Sequence, residues 1–67
     1  MPEYTTAELT AAHKALSSSV RKIEAAQKTL LQKQPPPKPQ LTLAARNLQA
    51  LRLALDLITR ELEGRQA

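Results

Sequence analysis

The sequence predicts an all-α fold, an antiparallel two-helix hairpin of coiled-coil character that dimerises into a four-helix bundle. Three observations predict it. Apolar residues follow a heptad pattern on two separate segments. A cluster of prolines divides the segments. The two patterns also match one another in a single antiparallel register.

The chain has 67 residues and reads as one domain, 1–67. A domain this small buries too little surface to be robust without a staple. It has no cysteine, and its single histidine and single aspartate do not assemble a zinc site. Oligomerisation or very regular helix packing remains. Met1-Pro2-Glu3-Tyr4 has no basic region followed by an apolar run, so it does not read as a secretion signal. No apolar stretch approaches the roughly 20 residues of a membrane span. The expected location is the cytoplasm, with no membrane partner.

The first helix is expected over residues 6–33. Thr5 followed by Glu8 is a capping box, and Tyr4 with Leu9 is the matching hydrophobic staple. Leu9, Leu16, Ile23 and Leu30 recur every seven residues, interleaved by His13, Val20 and Gln27. The linker is expected over 34–40. Pro35, Pro36 and Pro37 lack N–H groups and push preceding residues out of the α region. Pro39 suits the first turn of the next helix. The second helix is expected over 41–63, with Gly64 as its stop. Leu41, Ala44, Leu48, Leu51, Leu55, Ile58 and Leu62 follow an unbroken 3,4 alternation.

Folding the chain at the prolines places Leu30 level with Leu41, Ile23 with Leu48, Leu16 with Leu55 and Leu9 with Leu62. Gln27 then faces Ala44, Val20 faces Leu51 and His13 faces Ile58. One register satisfies all the layers, as expected of a hairpin and not of one broken helix.

Two helices leave apolar surface over. Ala12, Ser19 and Ala26 run beside the first seam. Leu43, Ala50 and Leu57 make a second stripe, with Leu53 and Ala54 nearby. Ala12, Ser19, Ala26, Leu43, Ala50, Leu53 and Leu57 are the expected oligomer interface, since a stripe of that length is an association site or a liability. The expected partner is a second copy, with docking on another protein as an alternative. From Ala25 to Leu55 the chain has Lys28, Lys33, Lys38, Arg46 and Arg52 but no acid, whereas Glu3, Glu8, Glu61 and Glu63 lie near the termini. That polarity favours two hairpins lying antiparallel.

Catalysis has little to work with. His13 falls on the inner seam and reads as a packing residue with its polar tip at a groove. Ser17, Ser18 and Ser19 sit mid-helix without oxyanion donors. Glu61 and Glu63 point to different sides of a helix. Gly64 is the one glycine, so no phosphate-cradling loop exists. The chain is therefore read as non-enzymatic, with no catalytic residue, metal or cofactor expected.

Net charge is +4. Lys14, Arg21 and Lys28 recur every seven residues, and Lys33, Lys38 and Arg46 gather about the linker. These six form the candidate nucleic-acid contact, set against the plainer reading of a solvated helix face. Tyr4 is the only aromatic, which removes the stacking platforms of single-strand binders. Lys33-Gln34-Pro35-Pro36-Pro37-Lys38-Pro39 also has the spacing of a polyproline ligand, although a stiff interhelix connection accounts for it.

The Tyr4-Thr5 start, the first amphipathic helix and the second reading Leu51-x-x-Ala54-Leu55-x-x-Ile58-x-x-Glu61-Leu62 resemble small bacterial helical-hairpin proteins. The organisation is also similar to the plasmid-copy-number RNA-binding hairpin, which dimerises into a four-helix bundle. That second resemblance implies architecture alone; the similar protein reads paired RNA loops through an aromatic and polar face on its first helix. No phenylalanine stands on this chain's first helix to play the family's aromatic part. The functional expectation is an interaction or oligomerisation module working through protein–protein contacts. The alternative is a nucleic-acid-binding regulator using the basic loop end of a dimeric hairpin.

Overall fold

The computed structural model describes residues 3–66, so the reading of Met1 and Pro2 lies outside the described residues. Two helices, α1 (Thr6–Leu31) and α2 (Lys38–Gln66), pack against each other as a hairpin. The molecule measures 49 × 19 × 18 Å with a radius of gyration of 15.2 Å. A compact chain of this length would have a radius of about 11 Å.

The expected cap starts α1. Thr5 is extended, the Glu8 N–H donates to Thr5 Oγ1 at 3.0 Å, and the Thr5 N–H donates to Glu8 Oε1 at 3.1 Å. Two donors left over by the first turn are thereby satisfied. Tyr4 and Leu9, the staple pair, line the same clefts. The Thr5 backbone N–H and, less strongly, its hydroxyl hold the Glu8 carboxyl below the usual glutamate range. A carboxyl lowered on folding stabilises fully above its unfolded value and ceases to do so as pH falls through the folded one. Thr5→Ala is expected to cost about 1 kcal/mol. Glu8→Gln is expected to flatten the acid-side fall of the melting temperature that begins in the ordinary glutamate range, as read by circular dichroism melts across that range.

Both helix boundaries at the linker differ from the sequence expectation. α1 ends at Leu31 and not at 33, because its last turn tightens: the Gln32 N–H donates to the Thr29 carbonyl and the Lys33 N–H to the Leu30 carbonyl, both at 3.2 Å. α2 begins at Lys38 and not at 41. The Pro37 carbonyl accepts the Leu41 N–H at 3.0 Å, so Pro39 falls in the first turn, where its missing N–H costs nothing. The connection shortens to Gln32–Pro37, and no described residue in it needs positive φ.

The other end of α2 also departs from expectation. Gly64 does not stop the helix, which continues through Gln66. Arg65 supplies the physical reason. Its guanidinium donates to the Tyr4 carbonyl at 2.7 Å, to Thr6 Oγ1 at 3.1 Å and to Glu61 Oε1 at 3.2 Å. These bonds hold the last turn of α2 to the start of α1 and outweigh the roughly 1 kcal/mol glycine penalty. Gly64 is helical and a Cβ there meets nothing within 4 Å. Gly64→Ala is therefore expected to stabilise by about 0.5 kcal/mol, read as a higher melting temperature. A lower one would contradict the helical assignment at this position.

The expected seam is the seam observed. All fourteen residues in the seven layers are half-buried or buried, with Leu48 the deepest at 4% exposure. The Arg65–Thr6 bond lies on the same antiparallel register as the layers. Leu48 is nevertheless the only buried hydrophobic residue among those described, so the hairpin has a seam but hardly a core.

Candidate interaction face

The hairpin has two unlike flanks, one on each side of the seam. In an antiparallel helix pair, the residue that follows a layer on one helix meets its counterpart on the other, and so does the residue that precedes one. Glu24 follows Ile23, Arg52 follows Leu51, and the two form an ion pair at 2.9 Å. That pair marks one flank as polar. Thr10, His13 and Thr59 line a cleft of about 230 Å³ with Leu62 and Glu63 on the same side. His13 is thus half-buried beside a groove.

The opposite flank is richer in small and apolar residues, although Asn47 and Glu61 also stand on it. Ala12, Ser19 and Ala26 precede the layers of α1, and Asn47, Ala54 and Glu61 precede those of α2. Ala12 lines a cleft of about 380 Å³ with Tyr4, Glu8, Leu9 and Ile58, which places it across the seam from the Thr10 side. The next column outward on α2 is Leu43, Ala50 and Leu57, with the leucines 60% and 59% exposed. Combined, the two α2 columns read Leu43, Asn47, Ala50, Ala54, Leu57 and Glu61, a second 3,4 alternation beside the first. The column on the polar side holds Thr42, Gln49, Asp56 and Glu63.

Six of the expected interface residues therefore share one flank: Ala12, Ser19, Ala26, Leu43, Ala50 and Leu57. Leu53 stands apart on the crest of α2 between Arg46 and Arg60, and is 62% exposed. Leu31, 60% exposed, lies at the loop end on the polar flank.

The surface area reflects the extended shape. The chain exposes 5474 Å², whereas a compact protein of 7.4 kDa exposes about 4,200 Å².

The six expected nucleic-acid contacts are all exposed, and among the described residues none of them joins an ion pair. Lys14, Arg21 and Lys28 follow one face of α1, adjoining the polar flank and turned away from Ala12, Ser19 and Ala26. Lys33 lies in the linker and Lys38 begins α2. Arg46 is on the crest of α2, so it does not join the α1 row. The cations whose partners are shown are Arg52, Arg60 with Asp56 at 3.1 Å, and Arg65 with Glu61 at 3.1 Å.

Arg65 is the residue that the sequence reading missed. Its signal was its register position level with Thr6, hidden by the expectation that Gly64 ends the helix. With Glu3, Tyr4, Leu9 and Glu61 it lines an open-end cleft of about 490 Å³. That cleft is shallow and its guanidinium is already hydrogen-bonded, so it functions as a clasp for the open end. Among the described residues, no group of three or more His, Cys, Asp or Glu is placed to hold a metal ion, and no helix is long and apolar enough to cross a membrane. Comparison with protein-family models, curated proteins and solved structures found no match.

Proposed function

We propose that this chain is a small non-enzymatic helical module that works by self-association, two hairpins closing into a four-helix bundle through the small-residue flank. The observation that carries the reading is the exposed leucine column of α2 beside the Ala12, Ser19 and Ala26 column of α1. A second helical layer there would cover Leu43 and Leu57, each worth roughly 1.5–3 kcal/mol when buried. It would also supply the core that one hairpin lacks.

A folded state completed by association melts at a temperature that rises with protein concentration. The expected result is such a rise across a hundredfold concentration series. A melting temperature independent of concentration would overturn the reading.

The row of exposed cations supports a second reading, binding of RNA or DNA by the polar side of the dimer. Its observation is that Lys14, Arg21 and Lys28 are exposed along one α1 face without acidic partners. Six phosphate contacts would give a slope of about −5 in the logarithm of affinity against that of salt concentration. No binding at low salt would remove this reading and leave the first intact.

A further inference from the structure

We propose that the second copy seats antiparallel on the apolar flank, with the two loops at opposite ends and the two-fold axis passing between Ser19 and Ala50. This rests on the self-association reading above and adds the orientation and register of the partner.

Two columns of the exposed face suit such a contact. An isologous interface sets residue i on the partner's residue j and j on the partner's i, so a column that reads the same in both directions about the axis meets its own kind. The leucine column does, as Leu43, Ala50, Leu57, and so does the α1 column, as Ala12, Ser19, Ala26. Leu43 then meets the partner's Leu57, and Ala12 meets the partner's Ala26. The two columns also have a common centre. The observed register sets Ser19 level with Arg52, two residues from Ala50, which is about 3 Å of helical rise. One axis therefore serves both columns.

Charge selects this arrangement over the one with both loops together. The loop half, residues 19–52, has seven Lys or Arg against Glu24 alone, a net +6. The open half has Glu3, Glu8, Asp56, Glu61 and Glu63 against Lys14, Arg60 and Arg65, a net −2. With the loops together, two +6 halves would lie side by side. Reversed, each +6 half lies along a −2 half. Neighbouring helices pack about 8–10 Å apart and the screening length is roughly 8 Å at physiological salt, so the charges nearest the contact decide, while Lys14, Arg21 and Lys28 face away from it.

The test is a pulsed electron–electron distance measurement on Lys33→Cys carrying a nitroxide, with the mass of the same sample read by light scattering. The chain has no other cysteine, and Lys33 is an exposed linker residue away from the flank. The expected distance between copies is roughly 40 Å, the helical rise from Ser19 to Lys33 counted on both. A distance of about 25 Å or less, as for neighbouring loops in one bundle, would overturn the antiparallel arrangement and leave self-association standing. A monomeric mass with no distance between copies, at concentrations up to millimolar, would overturn both.

Discussion

Leu48→Asp is expected to abolish the hairpin, with loss of the cooperative thermal transition and most of the helical circular dichroism. Leu48 is the deepest of the described residues, at 4% exposure in the middle of the α2 seam. Losing a leucine side chain from such a site costs about 2–5 kcal/mol. Leaving a carboxylate there without a partner adds a desolvation penalty of several kcal/mol. A chain this small has about 3–10 kcal/mol of stability in total. Leu55→Asp acts in the same direction but less severely, since Leu55 is only half-buried. Leu53→Asp is the control. At 62% exposure on the crest of α2, it should change the stability of a hairpin by no more than about 0.5 kcal/mol. A Leu48→Asp chain that still melted cooperatively would mean that the seam is not what holds the helices together.

Leu43→Glu combined with Leu57→Glu is expected to do the opposite, leaving the hairpin and removing its association. Both leucines point away from the intrachain seam and are about three-fifths exposed. Glutamate is also a good helix former, so α2 has no reason to unwind. In a dimer the change removes four buried leucines and introduces four carboxylates at the contact. At the low end of leucine burial that weakens association by about 6 kcal/mol, more than four decades in dissociation constant. Unchanged helicity with lost association would separate the two apolar faces of α2, which a single-helix view of the sequence merges.

Much of this architecture could be read from residue spacing alone. The cap at Thr5 and Glu8, the register from Leu9 against Leu62 to Leu30 against Leu41, and the half-burial of the seam all depend on short-range chemistry or on a period. Both are written directly in the chain. The ends of α2 were less legible, the far one because it depends on residues distant in sequence. Gly64 looks like a stop until Arg65 is seen bonded to Tyr4 and Thr6, some sixty positions away. Pro39 suits a first turn on its own chemistry, but that this turn begins at Lys38 and not at 41 shows only where the Pro37 carbonyl captures the Leu41 N–H.

The candidate face was legible as two stripes but not as one surface. Placing Ala12 and Leu43 on one side of the seam takes the register together with the rule that residues preceding the layers meet, which neither helix's pattern contains alone. The Glu24–Arg52 ion pair marks the other side, and the basic row from Lys14 to Lys28 falls away from the apolar flank. A hairpin with one polar and one apolar flank has a defined side on which to add a second layer. Leu53, grouped with the stripe by proximity in sequence, falls on the crest because three residues of helix rotate it past Ala50.

Sedimentation equilibrium over a concentration series, on the natural chain and on the Leu43→Glu, Leu57→Glu chain together, tests the central claim most directly. The natural chain is expected to approach twice its 7.4 kDa mass at high concentration and to fall toward one chain on dilution. The double variant, equally helical, is expected to stay at the mass of one chain throughout. A natural chain that is monomeric at every concentration, or a variant that assembles as well as the natural one, would contradict it.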